Sequence, residues 1–231
     1  MFRTNIANRL GLDNSVSGDQ TYIDGWVNDG VIQTLLDTHC YVTSTTVTPG
    51  ATSDYTLTSS VLEIVYMSAT SAGITYQLER LTVPELLEVR RNASASTAPT
   101  QYYALAGQNT VLFHPTPGSA DTYTLYYVPV PTALSAGSDD PSNASNGGIP
   151  TAYHKAIEYF ALSEAADAND DASSQMGAKY FQLYQDQVRK IRRHLRARGG
   201  DRLPRVRPVG GKGYRGHYPN HDNSVYPSYR P

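Results

Sequence analysis

The chain has 231 residues, a formal net charge of −2, 39% apolar and 17% charged residues, and 18 tyrosines that add buriable surface to a modest apolar fraction. Its single cysteine, Cys40, excludes an intrachain disulfide. No apolar run approaches the roughly 18–20 residues of a membrane span, and the opening MFRTNIANRL lacks the apolar core of a secretory signal, so the expectation is a soluble protein made in a cytosol.

Phe2 to Leu10 reads as a short helix closed by Gly11. Ser17-Gly18-Asp19 offers a second helix start, and Tyr22, Ile23, Trp26, Val27, Val31 and Leu35 follow at spacings of three and four, which predicts an amphipathic helix to about His39. Trp26, the only tryptophan, falls on its apolar face as a core anchor. From Cys40 the period drops towards two. CYVTSTTVT, DYTL, VLEIVYMSA, ITYQLERLT, QYYALAG, TVLFHP and DTYTLYYVPV read as about seven strands separated by Gly- and Pro-containing turns. A short helix with Pro84 in its first turn interrupts them, ending in an Arg90-Arg91 pair read as solvated or at an interface. Such short, evenly spaced strands predict a small antiparallel sandwich or barrel.

Residues 134–148, LSAGSDDPSNASNGG, read as a flexible connector whose composition cannot pack a core. Two helices are expected over 149–198. In the first, Tyr153, Ile157 and Phe160 share a stripe; in the second, Tyr180, Leu183, Tyr184, Val188, Ile191 and Leu195 recur at three and four. Arg189, Lys190, Arg192, Arg193, Arg196 and Arg198 crowd its last turns, where cations suit the negative end of the helix dipole. The predicted helical core thus uses Trp26, Tyr153, Ile157, Phe160, Tyr180, Leu183 and Ile191.

The resulting expectation is an α+β chain. N-terminal helices (1–41) and two C-terminal helices (149–198) form a three-helix core, a β-domain (42–133) is inserted between them, and residues 199–231 form an extended basic arm rich in Arg, Pro and Tyr. Seven basic and 19 acidic residues precede Val188, a balance of −12, whereas residues 188–231 carry 12 basic and two acidic ones, a balance of +10. An acidic body with a basic arm points to an acidic partner. In the arm, Arg202, Arg205, Arg207 and Arg215 supply charge, and Tyr214, Tyr218, Tyr226 and Tyr229 are compact anchors for pockets on a partner.

Catalytic signatures are absent from the sequence: there is no GxxxxGK[ST], GxSxG, CxxC or HExxH. His217 and His221 are separated by Pro219 and cannot share a helical face, and Asp139-Asp140 and Asp170-Asp171 sit in polar turns where capping roles suffice. No enzyme activity, metal or cofactor is therefore expected. Phosphate neutralisation by the arginines and base stacking by the tyrosines keep a nucleic-acid-binding protein as the alternative. A glycan-binding or hydrolytic β-domain lacks a convincing carboxylate pair.

The layout resembles the head-to-tail adaptor (connector) proteins of tailed bacteriophages. The likeness rests on YIDGWVNDGVI in the early helix, on DYTLTSSVLEIVYM with GITYQLERLTVPELL, on APTQYYALAGQNTVLFHPTPGSADTYTLYYVPVPTALS, and on IPTAYHKAIEYFALSEA followed by a long Tyr-containing helix. Together they span roughly residues 17–195, and the match is one of order and texture. The resemblance implies a homo-oligomeric ring, commonly dodecameric, in the neck of the virion between portal and tail. Such a ring continues the DNA channel without reading its sequence, contacts tail or neck proteins, and catalyses nothing. It also implies that a C-terminal segment grips the portal; by position that segment is the arm after Gly199.

Overall fold

The computed structural model describes residues 2–10, 16–92, 99–135, 139–168 and 174–198. In chain order these form α1 (Phe2–Leu10), α2 (Ser17–Thr38), β1 (Thr43–Val47), β2 (Asp54–Thr56), β3 (Val61–Ser71), β4 (Ile74–Gln77), β5 (Glu79–Arg80), α3 (Val83–Asn92), β6 (Tyr102–Ala106), β7 (Thr110–His114), β8 (Thr122–Pro129), α4 (His154–Ala168) and α5 (Ser174–Arg198). The class is α+β, as the patterning predicts.

The helices share one core. Ile23, Val27, Val31 and Leu35 of α2 meet Ala156, Ile157, Ala161 and Leu162 of α4 and Tyr184, Val188 and Ile191 of α5, with Ile6 and Ala7 of α1 added at one side. Helix α4 is the central one. Its small residues Ala156, Ala161 and Ala165 are fully buried, which lets neighbours approach on several sides and gives it a wide apolar arc instead of a narrow stripe. The closest approach of α2 is at Gly30, where an added Cβ would lie 3.0 Å from the Ile157 carbonyl oxygen and 3.2 Å from its Cγ2. Helix α2 ends at His39, which adopts a left-handed conformation (φ 49°) and donates its N–H to the Leu35 carbonyl at 2.8 Å.

The strands form two four-stranded sheets, β1-β8-β3-β4 and β2-β7-β6-β5. Their facing sides share a core in which Ile64, Met67, Tyr123 and Leu125 of the first sheet meet Tyr103, Val111 and Phe113 of the second. ITYQLERLT is not one strand. It breaks at Leu78, which is 2% exposed and donates its N–H to the Met67 carbonyl; the chain there leaves the first sheet as β4 and enters the second as β5. Among the described residues every pairing is antiparallel except β5–β6, which is parallel. Helix α3 starts with a capping box: Thr82 N–H and Oγ1–H both donate to Glu85 Oε2, at 2.8 and 2.7 Å. Leu86 of α3 then packs on Ala104 and Leu112 of the second sheet.

The stretch 134–148 differs from the flexible connector its composition suggests. Leu134 and Ile149 are both buried in the helical core. Leu134 and the Asn28 side chain exchange two hydrogen bonds, of 2.7 and 3.1 Å. Between these anchors the polar residues satisfy their own backbone, with Ser145 C=O accepting from Thr132 and Pro141 C=O from Ile149. Gly148 (φ +62°) lies so close to the Tyr41 ring that an added Cβ would approach it to 2.6 Å. A few buried anchors thus outweigh a polar average; residues 136–138 lie outside the described set.

Candidate interaction surfaces

Basic residues at the end of α5 do not all point freely to solvent. Arg189 is ion-paired to Asp186 one turn back. Arg192 donates through Nε to the Asp37 carbonyl of α2, with its terminal nitrogen 4.0 Å from the Asp37 carboxylate. Arg193 Nε reaches back to the Arg189 carbonyl at 3.4 Å. Lys190 and Arg196 are exposed. The side chain of Arg198 and the arm residues Arg202, Arg205, Arg207, Tyr214, Arg215, Tyr218, Tyr226 and Tyr229 lie outside the described residues.

Asp37 joins the two long helices. Its carboxylate accepts from the Tyr184 hydroxyl and from Gln33 Nε2 at 3.2 Å. Burial, and then the hydrogen bond to this carboxylate, hold the Tyr184 phenol far above its ordinary pKa, so it stays a donor. The Tyr184 ring lies against Phe160 and Phe181, at centroid distances of 5.2 and 5.9 Å. Phe181 is 42% exposed. Together with Gln33, Asp37, Gln185, Val188 and Arg192 it lines a groove of about 410 Å³ between α2 and α5.

The remaining core residues singled out above are distributed as follows. Tyr153, Ile157 and Ile191 are buried, and the Tyr153 hydroxyl lies 2.7 Å from His194 Nδ1 of α5. Phe160, Tyr180 and Leu183 are half-buried. Trp26 is half-buried at the margin of the helical core and stacks on the exposed Tyr22 at 6.2 Å.

Two polar clusters tie the sheets to their surroundings, and residue spacing gives no sign of either. Arg90 does not stand in solvent. Its guanidinium donates to Ser53 C=O (2.9 Å), Phe113 C=O (3.0 Å) and Asp54 Oδ1 (2.9 Å), clamping α3 across β2 and β7. At the junction of helices and strands, Glu63 of β3 accepts from Arg80 at 2.7 Å and lies 3.1 Å from His39 Nε2. Partial burial raises the pKa of this carboxyl, but the hydrogen bonds from Arg80 and His39 together outweigh it, and the net shift is downward.

Neither cluster places a nucleophile beside a base. Burial pushes the Cys40 thiol up, away from thiolate, and burial with the Arg90 charge pushes the His114 imidazolium down. Among the described residues no group of three or more His, Cys, Asp or Glu is placed to hold a metal ion, and no helix is long and apolar enough to cross a membrane. What the described surface offers is contact area: an α2–α5 groove and a partly committed basic helix end.

A chain of this build, with a helical core completed across strands that intervene in sequence and a separate core between two sheets, matches an established class. The family model described as SU10 adaptor protein matches residues 2–208, through all the described helices and sheets, and the chain belongs to that family. These are head-to-tail adaptors of bacteriophages, so the role is structural and the place is the virion neck. No curated protein matches the chain.

Proposed function

We propose that copies of this chain close into a ring, commonly of twelve in such adaptors, stacked between the portal and the tail. The ring continues the channel through which DNA passes, without base-specific contacts and without catalysis. Its units are the helical core (1–41 with 149–198), the β-domain (42–133), the connector (134–148) and the arm (199–231). The arm docks on the portal, ordering as it binds so that its conformational cost is met only when the portal is present. The observation that carries this reading is the family match through residue 208, which includes every described element and the first part of the arm.

The test is to mix the purified protein with its portal and to image the particles by electron microscopy. A closed ring on one face of the portal is the expected result. Deleting the residues after Gly199 is expected to abolish attachment; unchanged attachment would refute the docking role of the arm. The second reading, nucleic-acid binding by the isolated chain, is favoured by the exposed Lys190 and Arg196 near the end of α5. It requires duplex affinity that falls steeply with salt, and an absence of binding at low salt excludes it.

A further inference from the structure

The arm divides at its own glycines. Residues 201–209, DRLPRVRPV, stand between Gly199-Gly200 and Gly210-Gly211, and Tyr214, Tyr218, Tyr226 and Tyr229 all follow the second pair. The family match ends at residue 208, so it takes in nearly all of this unit and none of the four tyrosines. Pro204 and Pro208 suit the unit to polyproline-II backbone, which repeats every three residues. On that repeat Leu203, Val206 and Val209 share one face, and Arg202 and Arg205 share the next. An aliphatic stripe flanked by cations is a pattern for an apolar seat with acids beside it.

Such a seat runs along the helix from which the arm leaves. The α2–α5 groove is lined on its α5 side by Phe181, Tyr184, Gln185, Val188 and Arg192, with Phe181 exposed. From Phe181 to Arg192 it extends about 16 Å along α5, against about 19 Å for the stripe from Leu203 to Val209. Its Arg192 end lies about 9 Å from the helix end at Arg198. The chain from Arg198 to Leu203 reaches up to about 17 Å, so a reversal at Gly199-Gly200 sets Leu203 at that mouth and carries Val209 towards Phe181. Charge favours the same seat. Helix α2, the other wall, carries Asp19, Asp24, Asp29 and Asp37 and no Lys or Arg. Gln33 and Asp37 line the groove, and the exposed Asp29 lies one turn further along their stripe. The groove's own cations are already held, Arg192 by Asp37 and Arg189 by Asp186. A tether this short also gives the chain's own segment an effective concentration on the order of millimolar, which a second copy lacks. We infer that the Leu203–Val206–Val209 stripe seats in the α2–α5 groove of its own chain, a latch that fixes the root of the arm and leaves the tyrosines for the portal. It rests on the arm reading above and narrows the portal-binding part to the residues after Gly211.

The test is limited trypsin digestion of the isolated full-length protein, read by mass spectrometry. The bonds after Lys212 and Arg215 are expected to be cut at least about tenfold faster than the bond after Arg205. Val206→Glu, which leaves the helices untouched, and Phe181→Glu, with unchanged circular dichroism, are each expected to abolish that difference. Equal rates at Arg205 and Arg215 in the unmodified protein overturn the inference, and so does protection that survives either substitution. Oxidation of Gln185→Cys with Val206→Cys, in protein carrying Cys40→Ala, is expected to give a monomer of raised mobility on denaturing gels. Covalent multimers in its place would put the segment on a neighbouring copy and overturn the own-chain seat. Deleting the residues after Val209 is expected to keep the protection at Arg205 and to abolish portal attachment. Attachment that survives this deletion would refute the portal role of the tyrosines and leave the latch standing, whereas loss of protection with attachment intact refutes the latch alone.

Discussion

Gly25 and Gly30 stand on the same helix, one turn and a half apart, in opposite surroundings. An added Cβ at Gly25 meets nothing within 4 Å, whereas at Gly30 it meets the Ile157 carbonyl oxygen at 3.0 Å. Replacing either glycine by alanine carries the same intrinsic gain, about 0.8–1.0 kcal/mol from helix propensity. At Gly25 that gain stands alone, and Gly25→Ala is expected to stabilise the protein by about 1 kcal/mol, or roughly 2–4 °C in Tm for a chain of this size. At Gly30 the methyl group pushes on a main-chain oxygen. Helix α4 cannot retreat, because Ala156, Ala161 and Ala165 are themselves fully buried. Overpacking of this kind costs about 1–3 kcal/mol, so Gly30→Ala is expected to be neutral to destabilising by about 2 kcal/mol after the propensity gain is subtracted, and Gly30→Val worse still. Thermal and urea unfolding of the two alanine variants, compared at equal protein concentration, measure the difference. If Gly30→Ala stabilised as much as Gly25→Ala, α2 and α4 would not be in close contact at Gly30.

Arg90→Ala removes a cation bonded to two carbonyls and a carboxylate; leaving those acceptors unmet is expected to cost about 2–3 kcal/mol in urea unfolding, with Arg90→Lys recovering only part, since an ammonium lacks the planar fork. Glu63 has its folded pKa lowered, so its contribution to stability is complete above the unfolded value of about 4.3 and is lost as pH falls through the lower folded value. Glu63→Gln should therefore be less stable near neutrality and flatter through that acid window, and a parallel profile would contradict the assignment. Burial pushes the Tyr123 phenol up from 10 to about 12, while its hydroxyl remains paired with Thr100 at 2.7 Å. Its contribution is complete below about pH 10 and lost as pH rises towards the folded value, so ultraviolet titration should show this phenol ionising only with alkaline unfolding; early ionisation would refute its burial.

The features legible in the sequence are those set by neighbours in the chain. The three-and-four spacing from Ile23 to Leu35 marks α2, and the alternation in DTYTLYYVPV marks β8, because both report which side of a local element is covered. Thr82 and Glu85 form a capping box that is equally local; Pro84 marks the same helix start, but only the T-x-x-E spacing locates its cap. The break at Leu78 is not local. ITYQLERLT has one continuous pattern, and its division depends on two different strands, β3 and β6, waiting on either side. The Asp37–Tyr184 bond spans 147 positions, and Arg90 reaches back 37 positions to Ser53. Such pairs exist only once the fold has brought them together, so neither residue type nor spacing announces them. In the stretch 134–148 a polar average hides the buried Leu134, which together with Ile149 just beyond it decides where the segment lies.

The basic end of α5 is where the same distinction bears on function. Counted along the chain, Arg189, Lys190, Arg192, Arg193, Arg196 and Arg198 offer six cations to a polyanion. Each phosphate neutralised would add about 0.9 to the salt slope of duplex binding, so six would give a slope of about 5 for this segment alone. Yet Arg189 is held by Asp186, Arg192 by Asp37, and Arg193 by the Arg189 carbonyl. Arg192 in particular fixes α5 to α2 and would have to abandon that tie to reach a phosphate. A helix end built to hold DNA has little reason to spend its cations on its own scaffold, whereas one that anchors the arm needs a rigid base. We propose that the segment that follows docks on protein, a reading these ties support. A measured salt slope for duplex DNA approaching 5 in protein truncated after Gly199 would reverse that judgement, because it would show these cations leaving their partners for phosphate.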